Sequence, residues 1–339
     1  MEIPWKVLNV NFDPNGRKLN RDRYIDNTYI TLMRNRFQLL LSFCLLILPL
    51  KSLFAQAIPK EELIFLTSAW KGERFEDGRP RIPDELLNRA KSIGIEEAWQ
   101  ILNNEGYLYQ YERNWKILHE DEKVIGRALT AFYMPIRPDV EKNIVDRAAA
   151  EGRQGRHLHW PINMLTKGDV YVADNEGRVG SLMGDNLGNV IYKNSGNGVI
   201  FDGFARDVDG LAEIKGFNAF VRDFAPQFLQ GVVLMGLNTP VTIGQAIVLP
   251  GDLVIAGRAG VVFIPAHMAE QVIATAEFIA SKDRFGHEMI KSGLYKAGQV
   301  DTQWSEEIRV EYMKWLEKNP KEKKISRAQL DQFMLKRTW

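Results

Sequence analysis

The sequence contains almost no cysteine. Among the 339 residues only Cys44 carries a thiol, and it lies inside an apolar run near the N-terminus. Disulfide frameworks, cysteine nucleophiles and thiolate metal sites are therefore excluded for the rest of the chain. The chain also lacks the G-x-S-x-G turn of serine hydrolases and the G-x-G-x-x-G spacing of a dinucleotide-binding loop. Any chemistry that the chain performs must come from side chains with oxygen or nitrogen groups and from the backbone.

An excess of charge of either sign is missing as well. The chain has 44 basic and 43 acidic residues, and residues 58–339 keep 36 basic and 39 acidic ones, a net charge of −3. Without a basic field, nucleic acid is not expected as a partner. The chain is 45% hydrophobic, which is ordinary globular composition, and its length suits one large α/β domain with additions or two modest domains.

Long apolar runs are absent except for one. Residues 33–57 read "MRNRFQLLLSFCLLILPLKSLFAQA": two arginines precede an apolar run of twelve residues, 39–50, and small residues follow at 55 and 57. Twelve residues are too few to span a bilayer, which needs about 20, and the pattern is typical of a secretory signal. We expect translation to start at Met33, cleavage after Ala57, and a periplasmic or secreted protein with no membrane anchor. The alternative is a buried N-terminal helix.

Helix and strand patterns alternate after residue 57, which predicts an α/β fold with mixed strand pairing. Helices are expected from Asp84, from Ile95, over Leu182 to Asn194, and over residues 269–293. Strands are expected over 123–135, 168–174, 198–203, 231–236, 246–257 and 260–265. We therefore divide the chain into a leader with the signal (1–57), a helical N-terminal extension (58–122), an α/β domain (123–282) and a helical C-terminal extension (283–339).

One glycine-punctuated segment, residues 183–210, carries the candidate chemistry: "MGDNLGNVIYKNSGNGVIFDGFARDVDG". Gly184 to Leu187 lie at the start of the predicted helix, where unpaired N–H groups and the helix dipole favour a bound carboxylate or phosphate. Gly180 and Gly184 would let the backbone approach such a ligand. Twenty residues separate Asp185 from Arg206. That is enough for a helix and a strand to return the chain to the same sheet edge, where ligands of α/β proteins commonly bind.

The adjacent Arg206 and Asp207 suit two different tasks. Asp207 offers a hard oxygen to a divalent cation, and a Mg²⁺ site often uses only one or two carboxylates. Arg206 offers a planar fork to a carboxylate or enolate oxygen. The same residues also fit a surface ion pair with a helix N-cap.

Several ordered motifs over about a hundred residues resemble the RraA-like family. They are Gly168-Asp169, Gly184-Asp185, "GVIFDGFARD" (198–207), "PGDLV" (250–254) and "GVVFIP" (260–265). The family includes bacterial 4-hydroxy-4-methyl-2-oxoglutarate aldolases and the non-catalytic regulator of ribonuclease E. Many members carry an inherited label of demethylmenaquinone methyltransferase. The aldolase hallmark, an Asp, twenty residues and then Arg-Asp, is present as Asp185, Arg206 and Asp207.

The resemblance implies a compact α/β sandwich and a class II (metal-dependent) pyruvate aldolase that can also decarboxylate oxaloacetate. It implies that the backbone of Gly184, Asp185, Asn186 and Leu187 binds the carboxylate of a small 2-oxo acid. Arg206 would contact the pyruvyl part, Asp207 would hold Mg²⁺ or Mn²⁺, and the cation and Arg206 would stabilise the enolate. Asp185 would support the proton transfers. The family also implies a homotrimer or hexamer.

Two departures and two rival interpretations accompany this resemblance. Gly210 stands where the aldolases carry an acid, and Gly257 stands where another acid is usual. A non-catalytic binding or regulatory scaffold is therefore the alternative function. His157 and His159 could also place two imidazoles on one face of a strand for zinc, although no third ligand is evident and polar packing explains them better.

Overall fold

The computed structural model describes residues 14–16, 57–178, 180–324 and 326–335. The predicted signal up to residue 56 lies outside the described residues. Just after it, Ala57 pairs in parallel with Leu237, and the Ile58 N–H donates to Leu237 O at 3.2 Å. None of the helices in the described ranges has the length and apolar character required to cross a bilayer.

The unit that covers residues 54–339 contains both helices and strands. The helices are α1 Lys60–Leu66, α2 Asp84–Ala90, α3 Ile95–Asn104, α4 Pro138–Ala150, α5 His159–Met164, α6 Asp185–Ser195, α7 Val208–Ala212, α8 Ala269–Lys291, α9 Ala297–Val300, α10 Glu306–Lys318 and α11 Arg327–Leu335. The strands are β1 Tyr111–Glu112, β2 Lys116–Ile117, β3 Val124–Pro135, β4 Asp169–Asp174, β5 Ser181–Met183, β6 Val199–Ala205, β7 Ala219–Phe224, β8 Val232–Leu237, β9 Val241–Ile243, β10 Ala246–Val248, β11 Leu253–Gly257 and β12 Gly260–Ile264.

A ten-stranded sheet organises the fold around β3. Its main order is β1-β12-β11-β3-β4-β6-β7-β2, with β8 beside the second half of β3 and β5 beside the end of β6. The pairs β3–β4, β4–β6, β5–β6 and β6–β7 are parallel. The carboxyl ends of these strands therefore meet at one edge of the sheet, where ligands of such sheets commonly bind.

Both faces of the sheet are covered, as the apolar strands predicted. In β4, Tyr171 and Ala173 pack in the core that contains α5 and α6, whereas Val170 and Val172 pack in the core that contains the β9–β10 hairpin. A third core joins α2, α3 and α8 to β11 and β12, and an aromatic fourth core joins α8 to the C-terminal helices. The predicted α/β class, with helices on a central sheet and helical extensions, is confirmed.

The predicted boundaries differ from the structure in several places. The helix expected over Leu182 to Asn194 begins at Asp185, because Leu182 belongs to β5 and pairs with β6 instead. The short strands β1 and β2, within 58–122, join the main sheet, and α8 runs through residues 282 and 283. The domain limits that we drew there remain a prediction.

Candidate active site

The start of α6 forms one side of the site. Gly184, in extended backbone at φ −122° and ψ −167°, is the N-cap, and its carbonyl accepts the Gly188 N–H at 2.9 Å. The helix ends at Gly196, whose φ of 68° makes it a left-handed C-cap. These two glycines mark the two ends of the helix. The N–H groups of its first turn therefore lie directly after β5.

The N–H groups of the first turn of α6 have no partner one turn earlier in the helix. These are the groups that we expected to bind the carboxylate of a 2-oxo acid, through Asp185, Asn186 and Leu187. One of them already has an acceptor: the Asn186 N–H donates to Asp185 Oδ1 at 2.7 Å. Asn189 Nδ2 donates to the Asp185 carbonyl at 3.0 Å. The Asp185 carboxylate therefore occupies one of the N–H groups that we expected to bind the substrate carboxylate.

Arg206 and Asp207 form the other side. β6 runs to Ala205, two residues beyond the end of the strand that we expected over 198–203. The Arg206 N–H donates to Met183 O at 3.0 Å, which ties the end of β6 to the residue before Gly184. Asp207 has a left-handed backbone, with φ 59° and ψ 45°. That conformation is unfavourable for most side chains and is tolerated by Asp and Asn.

The side chains of Arg206 and Asp207 contact each other. Arg206 Nη1 lies 3.6 Å from Asp207 Oδ2, and the two side chains are 42% and 37% exposed. Both groups are therefore accessible to a ligand from solvent, and neither is locked in a buried ion pair. An interaction this open contributes little to stability. The interpretation as a mere surface pair would not explain the left-handed backbone at Asp207.

Two glycines bring these residues into one place. A Cβ added to Gly184 would lie 2.1 Å from Asp207 Oδ2 and 3.3 Å from Arg206 Cγ. A Cβ added to Gly210 would lie 2.8 Å from Asp185 Oδ2. The carboxylate of Asp207 thus lies against the start of α6, and that of Asp185 lies against α7. The two sides of the site pack against each other at Gly184 and Gly210, which have no side chain.

A divalent cation fits these side chains only if water and substrate supply most of its ligands. In the described residues there is no group of three or more His, Cys, Asp or Glu side chains arranged to hold a metal. Asp207 is a hard-oxygen donor whose carboxylate is partly exposed at the sheet edge. Mg²⁺ is often held by one or two carboxylates, with water and substrate as its other ligands. Asp207 could therefore hold such a cation only as an open site, and Asp185, which follows Gly184, is a second carboxylate of the same site.

Gly180 packs closely against a neighbouring loop. It has a φ of 120°, and an added Cβ would lie 3.1 Å from Leu229 Cα. The loop that contains Leu229 is fixed beside it, since the Ser181 N–H donates to Gln227 O at 2.8 Å. Our expectation that Gly180 lets the backbone approach a ligand is not supported by this contact.

The two histidines do not share a strand, as the zinc alternative required. His157 lies in a turn and His159 begins α5. His157 Nε2 lies 3.6 Å from Glu141 Oε1, and His159 Nδ1 accepts the Arg156 N–H at 2.9 Å. Burial lowers the pKa of His157. These contacts explain both imidazoles as polar packing.

Two acidic motif positions proved structural. Asp169 is fully buried, where its Oδ2 lies 3.2 Å from Arg79 Nη1 and its Oδ1 lies 3.7 Å from Arg127 Nε. Asp252 Oδ2 accepts the Leu249 N–H at 2.8 Å, and burial raises its pKa to about 7. Neither Arg79 nor Arg127 could be assigned a role from the sequence, because a buried arginine has no local signature.

The first turn of α6 and the accessible Arg206–Asp207 pair lie together at the carboxyl edge of a mixed α/β sheet, an arrangement typical of sites for small anions. The sequence model of the RraA-like family, described as Aldolase/RraA, matches residues 92–263. The chain belongs to this family. Its members include metal-dependent aldolases and decarboxylases as well as non-catalytic ribonuclease E inhibitors.

The individual proteins that match the chain share low sequence identity with it. An uncharacterized protein of Methanocaldococcus jannaschii, MJ0644, is 33% identical over 96 residues, which are 28% of this chain and 46% of that protein. Protein DlpA of Legionella pneumophila is 25% identical over 256 residues, 72% of this chain and 35% of that protein. The chain thus spans less than half the length of either. The crystal structure of Streptomyces coelicolor RraAS2, an unusual member of the RNase ES inhibitor RraA family, has 25% identity and a TM-score of 0.54, over 61% of this chain and 99% of RraAS2.

Proposed function

We propose that the protein is a divalent-metal-dependent lyase that acts on small 2-oxo acids. The observation that carries this proposal is the packing of Arg206 and Asp207 against Gly184, at the first turn of α6. This arrangement offers an anion two kinds of donor, backbone N–H groups and a guanidinium, next to an exposed carboxylate. Membership of a family that contains metal-dependent aldolases supports the same function.

The roles of the residues follow from their chemistry. The first turn of α6 would hold the substrate carboxylate through its N–H groups, and Arg206 would bind the adjacent keto oxygen, where negative charge develops as the C–C bond breaks. Asp207 would hold the Mg²⁺ or Mn²⁺ ion, which supplies Lewis-acid stabilisation of that charge. Asp185 would take up and return a proton.

Decarboxylation of oxaloacetate tests the proposal. The mature chain with Mg²⁺ or Mn²⁺ should release CO₂ and pyruvate faster than the cation alone, and EDTA should stop the acceleration. Arg206→Ala should lose it, since the guanidinium is the only side-chain cation that we assign to the site. Arg137→Ala is the matched control: this arginine is 72% exposed and paired with Asp139, and its loss should leave the rate unchanged.

A non-catalytic scaffold is the second candidate, and the likeness to RraAS2 supports it. Absence of any acceleration with oxaloacetate and other 2-oxo acids, with or without metal, would favour that function. We also propose export to the periplasm or beyond, supported by the apolar run at 39–50. N-terminal sequencing of the purified protein should then begin at Ile58, and light scattering should give the mass of a trimer or hexamer.

A further inference from the structure

The positive groups of the candidate site are held by the site's own carboxylates. Asp207 Oδ2 lies 3.6 Å from the Arg206 guanidinium. Asp185 Oδ1 accepts the Asn186 N–H at 2.7 Å, which is one of the first-turn donors of α6. The two donors that a substrate carboxylate needs are thus each paired with an internal anion.

An incoming anion must therefore displace two carboxylates, or add a third negative charge beside them. Two negative charges a few ångströms apart repel each other, and the repulsion is stronger at a protein surface than in bulk water. Both contacts can break, because the side chains of Arg206 and Asp207 are 42% and 37% exposed and the bond between the Asn186 N–H and Asp185 is exposed as well.

We propose that the carboxylates of Asp185 and Asp207 suppress anion binding in the metal-free protein, and that a divalent cation relieves this suppression. A cation on Asp207 competes with Arg206 for the same carboxylate. It also offers Asp185 a stronger partner than the Asn186 N–H. Arg206 and the first turn of α6 then become free for the substrate carboxylate. Binding is ordered as a result, with the cation first and the 2-oxo acid second.

This inference rests on the proposed function for the identity of its ligands, but its main test needs neither metal nor turnover. The affinity of the metal-free full chain for pyruvate is measured by calorimetry in the presence of EDTA. Asp185→Ala removes the acceptor on the Asn186 N–H, and we expect pyruvate to bind this variant about tenfold more tightly than the wild type, a coupling of the size usual between neighbouring sites. A gain of affinity is not what a merely damaged site would give.

Two further variants separate the effect of the hydrogen bond between Asp185 and the Asn186 N–H from the effect of the Asp185 charge. Asp185→Asn loses the charge but keeps an oxygen that can accept the Asn186 N–H, so its gain should be smaller than that of Asp185→Ala. Asp223, at the end of the neighbouring strand β7, is the matched control. Its Oδ1 also accepts the N–H of the next residue, Phe224, at 2.9 Å. Asp223→Ala removes the same charge and the same kind of bond at the same sheet edge but leaves the Asn186 N–H paired, and pyruvate affinity should not change.

Reciprocity supplies a second readout. If Mg²⁺ raises the affinity for pyruvate, pyruvate must raise the affinity for Mg²⁺ by the same factor, and this factor should shrink in Asp185→Ala. Equal metal-free pyruvate affinity in the wild type and Asp185→Ala would overturn the inference, as would an equal gain in Asp223→Ala. If the wild type showed no turnover but Asp185→Ala still gained affinity for pyruvate, the proposed lyase function would be refuted and this inference would stand. Normal melting curves, followed by circular dichroism, must accompany each variant.

Discussion

Asp207 can keep its position only because residue 184 has no side chain. A Cβ on Gly184 would lie 2.1 Å from Asp207 Oδ2, far inside the contact distance of the two atoms. The N-cap of α6 and the carboxylate after β6 are therefore fitted to each other. A helix start that only needed a cap would be served as well by Ser, Thr or Asn.

Gly184→Ala should therefore weaken cation binding without unfolding the protein. The added methyl displaces the Asp207 carboxylate, which is partly exposed and can move outwards. We expect the affinity for Mn²⁺, measured by calorimetry, to fall by about tenfold, equivalent to about 1.4 kcal/mol. Gly298→Ala is the control, since nothing lies within 4 Å of a Cβ there, and its Mn²⁺ affinity should equal that of the wild type. Unchanged binding in Gly184→Ala would show that Asp207 does not hold the cation.

The left-handed backbone of Asp207, with φ 59°, gives a second prediction. Glycine adopts this conformation without the steric cost that a side chain adds. Asp207→Gly should thus raise the free energy of unfolding, by up to about 1 kcal/mol, while it abolishes Mn²⁺ binding. A stabilised but inactive variant is the signature of strain kept for function. Urea unfolding and calorimetry on the same preparation measure both effects, and a clear loss of stability would contradict the idea.

Asp207→Asn completes this comparison. Asparagine also tolerates the left-handed region, so its stability should match that of the wild type. It removes the charge alone, and Mn²⁺ binding should be lost as in Asp207→Gly. If Asp207→Asn retained full Mn²⁺ affinity, the cation would have to be assigned to another group.

The candidate site could be predicted from the sequence because its parts are local. The spacing from Asp185 to Arg206 equals one helix and one strand, and two adjacent parallel strands bring such positions together. The predicted start of α6 was three residues too early, because the apolar Leu182 and Met183 fit a helix pattern as well as a short strand. Only the pairing of β5 with β6 decides between the two.

The buried ion pairs could not be predicted. Arg79 and Asp169 are 90 positions apart, and no periodicity connects them. The sequence around Arg79, "EDGRPRIP", is typical of an exposed turn, although Arg79 is only 2% exposed. Likewise, nothing in "PGD" indicates a buried acid, although Asp252 accepts backbone N–H groups in the interior.

Arg79 should be among the most sensitive positions for stability. Its guanidinium lies 2.8 Å from Asp77, 3.2 Å from Asp169 and 4.6 Å above the Phe75 ring. Arg79→Ala leaves the fully buried Asp169 with a single, more distant cation. Removal of one partner of a buried pair costs about 3–5 kcal/mol. Urea unfolding should show a loss of this size, whereas Arg137→Ala, which breaks an exposed pair, should cost no more than about 1 kcal/mol. Equal losses would refute a structural role for the buried pair.

Asp252 should make stability depend on pH. Burial raises the pKa of this carboxyl to about 7 in the folded protein, from 3.8 in the unfolded chain. Between these two values the folded state binds more protons than the unfolded state. The contribution of Asp252 to stability therefore falls as the pH rises from about 4 to 7 and stays constant above that range.

Asp252→Asn isolates this effect. The amide oxygen can still accept the Leu249 N–H, which donates to Asp252 at 2.8 Å, but it cannot titrate. The free energy of unfolding of Asp252→Asn, relative to the wild type, should therefore increase as the pH is raised through this window, because the other carboxylates are common to both proteins and cancel. Asp252→Ala removes the acceptor as well and should be less stable than Asp252→Asn at every pH. A difference between Asp252→Asn and the wild type that does not change with pH would mean that Asp252 titrates alike in the folded and unfolded states.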